Sequence, residues 1–411
     1  MALTKLNTYS LADDAITSAK IADDAITSAL IADDAITSAL IADNAVVTAA
    51  IADDAVTSAK TTVSAPNPNL IINGDMAIAQ RATSSVGTGP KTCDRWYATW
   101  TGGGITQSQV ALTSGGAYDE GHRHAFKMAV TSTNSANNRY AQIRYMPEAK
   151  DIRNFGWQYT SSSSYITVSF WVKSSLAGTY FFSMYGPDSS TAQVYATPFT
   201  LSAATWTKVT KTIPGGSNIV LNDDTGIGFY IDIRMDLGTD YTASDATINA
   251  WNDRVTSDAK TTTDFAQSWF NTANATWELT GVKLEVGQTA TTFEKPDYTT
   301  ELQRCQRYWW TIRGDEGQDY SNNYGLLFQW GSSRFSGWNP FWTVHFPVEM
   351  RVIPTTTMLG TWGTSNAGSW SIAGYKTKMS AGIGFSGTTE TAGAYAHFNS
   401  TDDAITFDAE M

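Results

Sequence analysis

Cysteine is scarce in this chain: Cys93 and Cys305 are the only two in 411 residues and stand more than two hundred positions apart. That excludes a disulfide-dense scaffold and fits no metal-ligand spacing, so both read as free thiols in or near a core. No run of 18 apolar residues occurs, which leaves no candidate for a membrane-spanning helix. Charged residues are also few, at 16% against about 25% in ordinary soluble domains. Their balance is acidic, −12 overall, which argues against nucleic acid or an anionic membrane as partner, since both call for basic patches. G-x-S-x-G, H-E-x-x-H and Gly-rich phosphate loops are all missing, so the sequence gives no sign of an enzyme.

What is present begins with a repeat. Residues 11–60 read LADDAITSAK, IADDAITSAL, IADDAITSAL, IADNAVVTAA, IADDAVTSAK, five ten-residue units without insertion. Leu or Ile opens each unit and Ile or Val holds its sixth position. An α-helix turns about 100° per residue, so a ten-residue period drifts by about 80° per unit and builds no continuous seam. Positions one and six have opposite parity, so an unbroken strand would send them to opposite faces. Each unit must therefore contain a break, at the acidic pair or at the Thr-Ser. One unit alone cannot offset the entropy of ordering ten residues. Winding several chains about a common axis would cover the aliphatic side chains, and the expectation is a homotrimeric shaft. A disordered acidic linker is the alternative.

Residues 61–69 form a Pro/Asn hinge. Residues 70–298 carry strand patterns at 70–72, 95–100, 126–131, 139–145, 165–173, 179–185, 207–213, 227–234 and 277–286, separated by Gly/Ser/Asn/Asp clusters. These predict an antiparallel jelly-roll β-sandwich, with 236–276 as a long loop or small insertion. A short helix around 301–308 leads into a second, smaller β-domain over 299–411, rich in aromatics and glycine. Fifteen Trp, 18 Tyr and 17 Phe in a polar, weakly charged chain suit sugar recognition, which uses flat aromatic faces together with hydroxyl and amide groups.

Several stretches stand in a telling order: NLIINGDMAIAQRAT (69–83), TCDRWYATW (92–100), ITVSFWVKSSLAGTYFFSMY (166–185), TWTKVTKTIPG (205–215) and WELTGVKLEVGQTATTFEKPDYTTELQRCQRYWW (277–310). Over about 240 residues they resemble the jelly-roll, carbohydrate-binding-module-like domain of bacteriophage tail fibres. FWTVHFPVEMRVIPTTTM (341–358) resembles the turn that follows CQRYY in those fibres, and short tandem repeats commonly precede the domain there. The resemblance implies a virion protein made in the host cytoplasm. Residues 1–10 would attach it to another tail or baseplate protein, and its distal tip would bind a host-surface glycan, lipopolysaccharide or capsule. Fibres that depolymerise glycans generally carry a long β-helix, which these strands do not suit, so the expectation remains a non-enzyme without cofactor.

Within that frame Trp338, in SGWNP, and Trp362, in GTWGTSN, are the tip-loop candidates for a sugar platform, and Trp157, in NFGWQYT, is a third. Trp96, Trp171 and Trp277 lie inside strand patterns and are assigned to packing. Asp236, Asp240 and Asp245 could supply oxygen ligands to a structural calcium, although their spacing is not that of an EF-hand. His122 and His124 form an H-x-H that is expected in a solvated turn.

Overall fold

The structure is a computed structural model. It describes residues 67–254, 261–313, 326–330, 341–360, 362–365, 370–385, 394–398 and 403–411, with Ile21, Ala25 and Ile31. The decads, the N-terminal segment and most of the hinge therefore lie outside the described residues. The chain divides into two compact units, Met1–Ala65 and Pro66–Met411.

The second unit is built on strands β1 (Ser84–Ser85), β2 (Trp96–Trp100), β3 (Gly104–Ala111), β4 (His124–Ser132), β5 (Tyr140–Tyr145) and β6 (Tyr165–Ser174). Six more follow: β7 (Gly178–Gly186), β8 (Ala192–Leu201), β9 (Thr207–Pro214), β10 (Tyr230–Leu237), β11 (Trp251–Arg254) and β12 (Thr276–Val286). They form two six-stranded antiparallel sheets, ordered β1-β3-β4-β12-β6-β9 and β11-β8-β7-β10-β5-β2. The two inner faces share one core, in which Trp96, Phe126, Phe170, Tyr180, Phe182 and Trp277 are fully buried. The expected sandwich is thus the observed fold.

Four strands escaped the sequence pattern, the two-residue β1 among them. β3 and β11 are polar and half-buried, and β8 contains Pro198. Pro198 is tolerated because β11 pairs only with Ala192–Tyr195, so that β8 is the sheet edge beyond that point. Residues 70–72 are not a strand: Leu70 donates one backbone hydrogen bond to Leu284 O, and the Asn69 amide bridges to Val282 and Leu284. Trp171 packs as assigned, though on a small outer cluster of Leu112, Ala117 and Ala125 rather than in the main core. It faces outward from β6, half-buried beside Trp206, and donates to Glu120.

The fibre-like motifs turn out to form one buried hub. Asn73 adopts φ 58°, and its side chain bonds to Ile78 and to the Asp94 carbonyl. A Cβ on Gly74 would stand 2.2 Å from the Val282 carbonyl oxygen, so the NGD turn admits no side chain there. The Trp96 indole donates to Asn73 O. Arg95 lies fully buried, 3.4 Å over the Tyr308 ring, and pairs with Glu410, while Tyr308 donates to Glu148 at 2.7 Å. Cys93 and Cys305 are buried, unpaired thiols here, and burial pushes both well above the ordinary thiol range.

Asp94 of this hub accepts from Gln80 and lies 3.8 Å from Arg81. Burial outweighs these partners and pushes its pKa up to about 6. A carboxyl raised in the folded state binds more protons there than in the unfolded chain. Its contribution is therefore full below about pH 4 and is lost as pH rises through about 6. Asp94→Asn should flatten that part of the stability profile, read as the difference between variant and parent melting temperatures at about pH 4.5, 5.5 and 6.5. Parallel profiles would contradict the assignment.

The chain leaves the sandwich through helix α1 (Tyr298–Gln306), which Asp297 caps by accepting from Thr300 N–H. Strands β13 (Trp309–Arg313), β14 (Leu326–Trp330), β15 (Phe341–His345), β16 (Thr355–Leu359) and β17 (Trp362–Ser365) follow. The last four are β18 (Trp370–Lys376), β19 (Ser380–Phe385), β20 (Ala394–Phe398) and β21 (Ala404–Asp408). They pair as β13-β21-β16, β14-β20-β17 and β15-β19-β18, and Val344, Phe346, Met350, Ile383, Ile405 and Phe407, from β15, β19, β21 and the segment after β15, form a small core.

Candidate functional site

Alternation along a strand sends every second residue outward, and on the second sheet those outward positions are unusually polar and aromatic. On β5, Ala141, Ile143 and Tyr145 enter the core, which leaves Gln142 and Arg144 outward. On β10, Ile231 and Ile233 enter the core and Asp232 and Arg234 face out. Register then lines them up: Arg144 lies opposite Asp232, Gln142 opposite Arg234, and Tyr230 opposite Tyr185 of β7. A bulge between Arg234 and Asp236 brings Leu237 opposite Tyr140.

The outward side chains other than Tyr230 wall a cleft of about 240 Å³ that extends to Tyr241, Arg254 and Thr261. Two kinds of contact order its walls. Arg144 and Asp232 form a two-bond fork, 2.6 and 3.0 Å. Beside it runs a stack in which Arg144 lies 4.6 Å over Tyr230, Tyr230 stacks on Tyr185 at 5.3 Å, and Arg254 lies 4.6 Å over Tyr185. Burial lowers the Arg144 guanidinium, but the stronger combined pull of Asp232 leaves it raised. The cleft thus offers ring faces, phenol hydroxyls and fixed guanidinium donors on a rigid sheet, a combination that fits a sugar ring with its hydroxyl or acidic substituents.

The residues singled out in the sequence lie elsewhere. Trp157 is a correction: it is only 2% exposed, packs against Phe229 and donates to Ser164 O, so it belongs to the core. Trp362 opens strand β17 rather than lying in a loop, and Trp338 lies outside the described residues. Asp236 is buried in β10, where it accepts from Arg139 and from Phe270 N–H, while Asp240 and Asp245 are exposed. The proposed calcium trio is therefore not one site, and among the described residues no three His, Cys, Asp or Glu side chains are grouped to hold a metal. His122 is another correction: it is buried against Asp75 and Phe293, and a Cβ on Gly281 (φ 61°) would meet its ring at 2.6 Å.

The cleft residues were not picked out, although a signal existed. YAQIRY and YIDIRM place polar or charged residues at alternate positions of otherwise apolar strands, which marks an outer face that is more than solvated surface.

No protein-family model and no curated protein matches the chain. Solved structures do. A tailspike protein 4 enzymatically active domain of bacteriophage CBA120 matches 53% of this chain at 9% identity, TM-score 0.29, across 21% of its own length. The N-terminal cellulose-binding domain of Cellulomonas fimi beta-1,4-glucanase C matches 52%, at 10% identity and TM-score 0.25, over 99% of its length. The CBM22-1 and GH10 modules of a Clostridium thermocellum endo-1,4-beta-D-xylanase match 50%, at 10% identity and TM-score 0.25, over 28% of theirs. The expectation of a non-enzyme is corrected on this comparison: an enzymatically active domain and a xylanase are among the matches.

Proposed function

We propose that the chain is a glycan-binding tail-fibre protein of a phage virion and that the outer face of the second sheet is its sugar site. The observation that carries the sugar site is the cleft in which the Tyr185–Tyr230 stack and the Arg144–Asp232 fork share one rigid wall. The fibre assignment is supported by the order of motifs from NGDM to CQRYWW and by decads that keep their aliphatic residues in register.

In this reading residues 1–10 attach to a tail or baseplate protein, 11–60 form a homotrimeric shaft and 61–69 a hinge. Residues 70–298 bind the glycan, with 299–411 distal to them. Three weak sites per fibre gain strength through avidity. Neither nucleic acid nor membrane insertion enters it, and among the described residues no helix is long and apolar enough to cross a membrane.

Purified protein should block adsorption of the phage to its host. Tyr185→Ala removes one ring of the stack and should weaken binding to host polysaccharide about tenfold, a loss of about 1.4 kcal/mol. Its melting temperature should stay within a few degrees of the parent, because Tyr185 lies outside the core. Undiminished binding would move the site off this sheet.

A further inference from the structure

Among the described lining residues of the cleft Asp232 is the one carboxylate, and two guanidiniums, Arg144 and Arg234, approach it. Both oxygens of Asp232 are engaged by Arg144. Arg234 gets little from the same carboxylate: its nearer nitrogen stands 3.7 Å from Asp232 Oδ2, beyond hydrogen-bond reach. One Nη donates to Thr261 Oγ1, and Nε has no partner at all although it is shielded from solvent.

Arg234 as a whole is 9% exposed, so water does little to compensate its charge. Burial, with Arg144 and Arg254 nearby, lowers its pKa to about 10 against the opposing pull of Asp232, and it remains a cation at neutral pH. Arg95 is equally buried and also keeps an unpartnered Nε, but it has the Glu410 carboxylate in direct contact, whereas Arg234 has none nearer than Asp232 at 3.7 Å, and a buried charge without a close counter-ion is costly.

We propose that this cleft selects glycans that carry a negative charge, a carboxylate or a phosphate on a sugar residue, and that Arg234 receives the anion. The inference rests on the glycan-binding reading above and narrows it to a substrate class. A neutral hydroxyl would satisfy a donor and leave the charge uncompensated. An oxyanion does both, accepting a charge-assisted hydrogen bond from the guanidinium. The aromatic stack then serves the sugar ring that bears the anion.

The test is titration of the full chain with oligogalacturonate, colominic acid and poly(glycerol phosphate), beside methyl-esterified oligogalacturonate and a printed array of neutral glycans. The first two carry carboxylates and the third phosphate, so the arms separate the two sources of charge. At least one acidic probe should bind more than tenfold tighter than its neutral counterpart. Raising salt from about 0.05 M to about 0.5 M should weaken that binding about tenfold, and Arg234→Gln should abolish the preference. The ester and salt arms need no variant, so they decide the matter even if Arg234→Gln fails to fold. Equal, salt-insensitive binding of acidic and neutral glycans would overturn charge selection and leave the glycan site standing. Binding of no carbohydrate of either class, with no block of adsorption, would remove both.

Discussion

Trp277→Ala should destabilise the sandwich by about 3–5 kcal/mol, the range for removing a large aromatic from a close-packed core. Trp277 is fully buried on β12, the strand that pairs with both β4 and β6. Its ring meets Tyr180 of the opposite sheet edge-on at 4.7 Å and lies 6.3 Å from Phe199. The vacated space faces strands held on both sides, so it cannot collapse without breaking pairing. The indole N–H is buried without a partner, however. Trp277→Phe should therefore cost distinctly less, since it gives up volume but also removes an unsatisfied donor. Urea unfolding monitored by far-ultraviolet circular dichroism would measure both variants. A loss below about 1 kcal/mol for the alanine variant would mean that the two sheets do not close on this residue.

Glu410→Ala should cost a similar amount, about 3–5 kcal/mol, for an electrostatic reason. Glu410 is the penultimate residue, yet its carboxylate pairs with Arg95 in the middle of the hub and lies 3.4 Å from Arg81. Burial tends to lower the Arg95 guanidinium, and Glu410 offsets this and holds it well above its usual range. Removing Glu410 strands a charge that is 1% exposed. Arg95→Met combined with Glu410→Met should recover most of the loss, because both charges then disappear together. If the double variant is as unstable as the sum of the singles, the pair is not the source of the effect. The comparison also bears on the C-terminal region. Arg351 donates to the carbonyls of Ala409 and Glu410, so the end of the chain is fastened at several points.

Much of the sandwich was legible because its strands alternate or carry dense β-branched and aromatic residues, as in ITVSFWVKS and WELTGVKLEV. The missed strands lacked that signal: GITQSQVA is polar on one face, and Pro198 argues against a strand unless an edge position is known. The candidate site was legible in its chemistry and not in its place. Tryptophans in loop-like contexts look exposed, yet Trp157 in NFGWQYT turns inward under Tyr159 and Phe229. The cleft depends instead on cross-strand register between β5, β10 and β7, which brings Arg144, Asp232 and Tyr185 together from segments 40 or more positions apart. A single strand's pattern shows which residues share a face and says nothing of which strands stand side by side. The motifs that carry the fibre resemblance proved to be hub-forming. Asn73, Gly74, Asp94 and Arg95 are buried, or held in tight turns, for packing and hydrogen bonding, so they specify the fold and leave the outer face free to vary.

The most direct test is a crystal structure of the full chain with an oligosaccharide of the host polysaccharide that blocks adsorption. A sugar ring is expected against Tyr185, with an acidic substituent at Arg234 and the Arg144–Asp232 fork intact beside it. A sugar seated on the strands after Tyr308, with the cleft of the second sheet empty, would contradict it.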